Sequence, residues 1–185
     1  MGSTYVNFTL RGPSQQAVAK ALSGRSAFIS PSFNGCVVVY DKNSEEQSKE
    51  IEPLGAKLSR ELGCPVLAVF VYHDDILYYW LFEQGEQTDK YDSNPSHFDE
   101  DAQESAPPVG GNAEKLCMAF GVQKSSDVER ILRMNSDGNF FEFKRQGALY
   151  KTLGLPECAV STGYGYINRG EMPADLKTED LVTVT

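Results

Sequence analysis

The chain holds two histidines, and each stands among carboxylates. His73 runs directly into Asp74 and Asp75, and His97 lies in a stretch with Asp92, Asp99 and Asp101. An imidazole beside carboxylates can move protons near neutral pH or hold a transition metal. Asn94, between Asp92 and His97, completes this candidate set. These groups meet only if two separate loops fall at one end of a sheet, so the surrounding elements decide whether the chemistry can exist.

Other reactive signatures are missing from the sequence. It has no Gly-x-Ser-x-Gly elbow, no phosphate-binding Gly-x-x-x-x-Gly-Lys loop and no His-Glu-x-x-His. Gly163-Tyr164-Gly165 lacks the third glycine of a dinucleotide fingerprint and reads as a turn or strand element. Asn135-Ser136-Asp137-Gly138 resembles part of a calcium loop, but Arg133 occupies the position where a carboxylate is needed. Cys36, Cys64, Cys117 and Cys158 lie far apart with no Cys-x-x-Cys pair. They read as small buried hydrophobes in a reducing compartment. No cofactor and no metal is expected from these patterns.

The elements that position the histidines begin with Tyr5 to Leu10, which alternates with Val6, Phe8 and Leu10 on one side, the period of a half-buried strand. Gly12-Pro13-Ser14 then opens a helix carrying Ala17, Val18, Ala21 and Leu22. Ala27-Phe28-Ile29 and Val37 to Tyr40 read as strands joined through the tight-turn pair Asn34-Gly35. Ser44 has capping-box spacing for a helix carrying Ile51, Leu54, Leu58 and Leu62, with Pro53 either in its first turn or at a bend. Val66 to Tyr72 is a continuous apolar strand. The resulting β-α-β-β-α-β order is ferredoxin-like.

Ile76 to Phe82 forms another strand pattern, so the intervening His73-Asp74-Asp75 reads first as a hairpin turn. Gln87 to Asp92 follows as an edge strand and extends the sheet into a meander. In such a meander the turn at His73 and the loop after Asp92 share one end of the sheet, so the two histidine groups can converge there.

Residues 93–111 form an acidic loop rich in Pro and Ser, and residues 112–185 are mainly helical. Helices are expected after Asn112, from Ser126 with capping-box spacing, and over Asn139 to Leu153. Short strands are expected at Tyr164 to Ile167 and Leu181 to Val184. The whole reads as one α+β domain over residues 1–185, its ferredoxin-like start extended by the meander and its C-terminal helices packed on the sheet.

Ile76 to Phe82 is apolar on both faces, with Tyr78, Trp80 and Phe82 on one side and Leu77, Tyr79 and Leu81 on the other. Helices must cover one face, and the helices of the second half are expected to cover the other. Tyr78 and Trp80 would otherwise form a binding surface or dimer face.

With 26 acidic against 17 basic residues, the net charge of −9 repels a phosphate backbone and favours a basic protein partner. No sequence stretch is long and apolar enough to cross a bilayer, and no secretion signal opens the chain, so a cytoplasmic location is expected.

The strand Tyr5-Val6-Asn7-Phe8-Thr9-Leu10-Arg11-Gly12 resembles the opening of a family of small bacterial proteins with no assigned activity. The likeness returns at Asp75 to Phe82, Gly85-Glu86, Asp89, Tyr91, Ser93-Asn94-Pro95 and Phe98. It implies a bacterial cytosolic protein and carries no substrate or catalytic residue.

The functional expectation is a non-catalytic domain, monomeric or homodimeric, that binds a protein or small ligand, such as an immunity-like or regulatory partner of a basic protein. Its candidate contacts are His73, Asp74, Asp75, Tyr78, Trp80, Asp92, Asn94 and His97. The alternative is a small hydrolase or metal-dependent enzyme built on the same His and Asp residues.

Overall fold

The computed structural model describes residues 2–99, 106–135 and 141–185. Among these residues it is a mixed fold of seven α-helices and one eight-stranded antiparallel sheet in the order β7-β6-β5-β4-β1-β3-β2-β8. The strands are β1 (Tyr5–Arg11), β2 (Ala27–Ile29), β3 (Cys36–Asp41), β4 (Val66–Tyr72), β5 (Ile76–Glu83), β6 (Glu86–Asp92), β7 (Val109–Gly110) and β8 (Val182–Val184).

Helices α1 (Gln15–Ala21) and α3 (Ile51–Leu62) lie on one face of the sheet, over Val6, Phe8 and Leu10. The other face is covered by α4 (Ala113–Phe120), α5 (Ser125–Leu132), α6 (Glu142–Leu153) and α7 (Tyr164–Asn168). Helix α2 (Lys42–Glu46) is a single short segment between β3 and α3.

Strand β1 is buried on both faces, not one. Its inward polar residues serve as sockets for the C-terminal half. Asn7 Nδ2 donates to the carbonyls of Ala159 at 2.6 Å and Thr162 at 2.9 Å. Thr9 Oγ1 meets the Tyr150 hydroxyl at 3.0 Å, and the Tyr5 hydroxyl donates to Gln146 Oε1 at 2.6 Å. A polar alternate position in a strand therefore need not face water if another part of the chain supplies its partners.

Hairpins set the register of the extension. Asn34 and Gly35 take φ of 52° and 75° between β2 and β3. Gln84 and Gly85 take 54° and 85° between β5 and β6, the left-handed geometry of tight hairpin turns. Strand β6 is not the edge, because β7 pairs outside it through Tyr91↔Gly110 and Asp92↔Val109. A strand of two residues is too short to leave a periodic signal.

Several local expectations are corrected. The cap before Ser44 is Asp41, whose Oδ2 accepts both the Ser44 N–H and its hydroxyl at 2.8 Å. Of the two places expected for Pro53, the first turn is the one found: helix α3 starts at Ile51, and a missing N–H there costs nothing. Helix α5 begins at Ser125 after Lys124, so the Ser126 box does not form the cap. Tyr164 to Asn168 is a helix and not a strand: the Glu45 carboxylate accepts the N–H groups of Tyr164 and Gly165, each at 2.7 Å, and ends the extended path there. Of the partial calcium loop, residues 136–138 lie outside the described residues, as does Asp101.

Candidate functional site

His73 and Asp74 occupy the β4–β5 turn with φ of 53° and 60°, and Asp75 N–H donates to the Tyr72 carbonyl at 3.0 Å. His and Asp are among the residues that tolerate this left-handed conformation best. The turn is tied to the start of the chain: Ser3 N–H donates to Asp74 Oδ2 at 2.8 Å, and His73 N–H donates to Thr4 Oγ1 at 3.0 Å. The Asp74 carbonyl accepts the Glu142 N–H at 2.9 Å and so receives the start of α6. Asp74 is buried while His73 and Asp75 are exposed.

The loop after β6 brings the second group to the same end of the sheet. Asp92 Oδ1 accepts the Asn94 N–H at 2.9 Å, and the Asn94 carbonyl accepts the His97 N–H at 3.1 Å. Both histidine rings come against Tyr72, with His73 stacked at 4.2 Å between ring centroids and His97 edge-on at 6.2 Å. What converges is a set of rings, not a set of ligands. No group of three or more His, Cys, Asp or Glu side chains among the described residues could hold a metal ion.

The aromatic rings continue away from this turn along the α3 side of the sheet. The pairing Phe70↔Tyr78↔Asp92↔Val109 places these four residues side by side on one face across β4, β5, β6 and β7. The next row on that face is Ala68↔Trp80↔Lys90. Ring centroids of Phe70 and Tyr78, and of Tyr78 and Trp80, are each 6.0 Å apart with near-parallel planes. Phe98, 67% exposed, closes the row against Tyr72 at 5.7 Å.

Helix α3 explains why this face is open. It packs against β4 and β5 through Gly55, where an added Cβ would run into the Phe82 ring. Phe82 is buried as a result, while Phe70, Tyr72, Tyr78 and Trp80 remain half-buried beyond the start of the helix. The space left is a groove of about 550 Å³ lined by Ser48, Lys49, Glu52 and the rings of Phe70, Tyr72, Tyr78, Trp80 and Phe98. It adjoins a hollow of about 320 Å³ that shares Glu52, Tyr78 and Trp80 and reaches Lys90, Asp92 and Val109. Both volumes lie in the range of small-ligand sites.

Asp92 is the half-buried charge of this surface. Burial pushes its carboxyl up, against the opposing pull of the Asn94 N–H and of His97. Tyr78 is raised as well, first by burial and then by the neighbouring Asp92. On the opposite side of β5, Tyr79 is pushed up by burial and by Asp89, to whose Oδ2 its hydroxyl donates at 2.7 Å. That side is filled by the C-terminal helices.

The sequence singled out Tyr78 and Trp80 but not Phe70, Tyr72, Phe98, Lys49 or Glu52. The strand period of β4 contained part of the missing signal, since Ala68, Phe70 and Tyr72 share a face and a hairpin centred near Asp74 sets Phe70 beside Tyr78. No protein-family model, curated protein or solved structure matches the chain.

A second, polar hollow of about 440 Å³ lies between the starts of α4 and α5, lined by Asn112, Ser125, Ser126 and Arg133. Arg133 is already engaged there with Glu129 and the carbonyls of Gly110 and Gly111.

Proposed function

We propose that the protein is a non-catalytic binding domain whose contact surface is the aromatic groove beside α3. The observation that carries this reading is the half-buried row of Phe70, Tyr72, Tyr78 and Trp80 on a face whose remainder is packed by helices. Large aromatic side chains left partly in water beside a concave surface are the usual anchors of recognition, because covering them releases water at little cost in side-chain freedom. The histidine turn stacks His73 on Tyr72 at the end of the groove and hydrogen-bonds Ser3 and Thr4, a positioning task that needs no reactivity.

In the same reading, β1 to β4 with α1 and α3 are a ferredoxin-like unit. The neighbour order β4-β1-β3-β2 supports this, and β5 to β7 then form an added wing that creates the groove. Four buried cysteines, none in a disulfide, fit a reducing compartment such as the cytoplasm. No helix among the described residues is long and apolar enough to cross a membrane.

The test is a ligand screen by thermal shift on the full chain, run in parallel on Trp80→Ala. The proposal expects at least one class of peptide or small molecule to stabilise the wild type and to lose that effect in the variant. Ligands that stabilise both proteins equally, or the absence of any stabilising class, would sink it.

A further inference from the structure

We infer that the occupant of the aromatic groove and of the hollow beside it is an arginine-bearing segment of a basic partner protein, its guanidinium set against the Tyr78 and Trp80 rings, which line both, and paired with Asp92. This rests on the binding reading above and adds the chemistry of the partner.

Asp92 lies directly across the strand pair from Tyr78, on the same face. Such neighbours stand about 5 Å apart, close enough for one planar cation to touch both a ring and a carboxylate. Among the described residues the Asp92 Oδ2 carries no hydrogen bond, while Oδ1 is taken by the Asn94 N–H at 2.9 Å. A half-buried carboxylate with one oxygen unfilled gains from a cation that arrives with its own donors. Guanidinium matches this better than ammonium because it is flat, stacks on aromatic faces and presents paired N–H groups to a carboxylate.

The wider charge agrees. Residues 92–99 contain Asp92 and Asp99 with no Lys or Arg, and they run through His97 and Phe98 at the end of the groove. Lys49 borders the groove and Lys90 the hollow, but both are exposed, where salt screens them; Asp92 is the charge withdrawn from water. A second copy of this chain would bring another net charge of −9 to the same surface, so self-association there is opposed at long range.

Trp80 is the one tryptophan of the chain, so an ¹⁵N-labelled full-length sample gives a single indole N–H resonance inside the groove. The probes are the peptide acetyl-Gly-Arg-Gly-Arg-Gly-amide and the same peptide with citrulline for both arginines, which keeps shape and removes charge. The arginine peptide is expected to move the Trp80 resonance saturably, and citrulline is expected to weaken binding about tenfold. Asp92→Asn keeps an acceptor for the Asn94 N–H, and it should weaken the arginine peptide by a similar factor while leaving the rest of the spectrum in place.

Equal affinity for the two peptides, or an Asp92→Asn variant that binds as well as wild type, overturns the arginine inference and leaves the binding reading standing. The same holds if neither peptide moves Trp80 while another ligand class loses its stabilising effect in Trp80→Ala. Failure of every class in both experiments removes the two together.

Discussion

Arg145 and Glu142 form an ion pair on α6 in which both side chains are 0% exposed. The fork is two-pronged, with Nε to Glu142 Oε2 at 2.7 Å and Nη2 to Oε1 at 3.2 Å. Nη1 also donates to the Ile131 carbonyl at 2.9 Å, and the guanidinium lies 6.0 Å from the Tyr91 ring centre. One side chain thus joins α6 to the end of α5 and to the back of β6, the strand whose front carries Asp92.

Arg145→Met keeps most of the volume and leaves the Glu142 carboxylate buried without its cation, which costs about 3–5 kcal/mol. For a chain of this length that corresponds to a fall in Tm of about 10 °C. Adding Glu142→Gln removes the stranded charge, so the double variant should be more stable than Arg145→Met alone by about 1–3 kcal/mol. Urea and thermal melts of the wild type, both single variants and the double variant measure this coupling. Strictly additive losses, or a loss below about 1 kcal/mol for Arg145→Met, would refute the claim that the pair acts as a unit.

Asp41 supplies a pH test. Burial alone would raise its carboxyl, but the Arg25 fork at 2.8 Å and the Ser44 donors outweigh that and hold it below the usual range. Its folded value is thus below its unfolded one, so its contribution is complete above about pH 4 and is lost as pH falls through the folded value. Asp41→Asn should cost about 2 kcal/mol at pH 7, with the gap closing in acid melts below about pH 4. A gap independent of pH would contradict this.

Asp92 has the opposite sign: its raised carboxyl favours folding when protonated and less as pH rises. Asp92→Asn should accordingly leave stability at pH 7 unchanged or slightly higher, and a clear loss in the same melts would count against it. Gly55→Ala should destabilise by about 1–3 kcal/mol despite the better helix propensity of alanine, because the new methyl meets the Phe82 ring. A stabilised variant would mean that α3 does not approach β5 so closely.

Much of the sheet was legible because its signals are local. The runs Val66 to Tyr72 and Ile76 to Phe82 flank a short polar turn, and their alternation alone put Tyr78 and Trp80 on one face. What stayed hidden depends on partners far along the chain. Tyr164 to Asn168 became helical through Glu45, 119 residues away, and Asn7 is buried through carbonyls more than 150 residues away. The groove was half legible for the same reason: its floor follows from strand parity, while its walls at Glu52 and Phe98 depend on where α3 and the loop after β6 come to rest.

The most direct test of the open groove is acrylamide quenching of Trp80 fluorescence across a wide range of protein concentration. Trp80 is expected to be reached by quencher to the same intermediate degree at every concentration, because the free groove faces water and like charge keeps copies apart. A Trp80 shielded at all concentrations, or one that becomes shielded as the protein is concentrated, would contradict it.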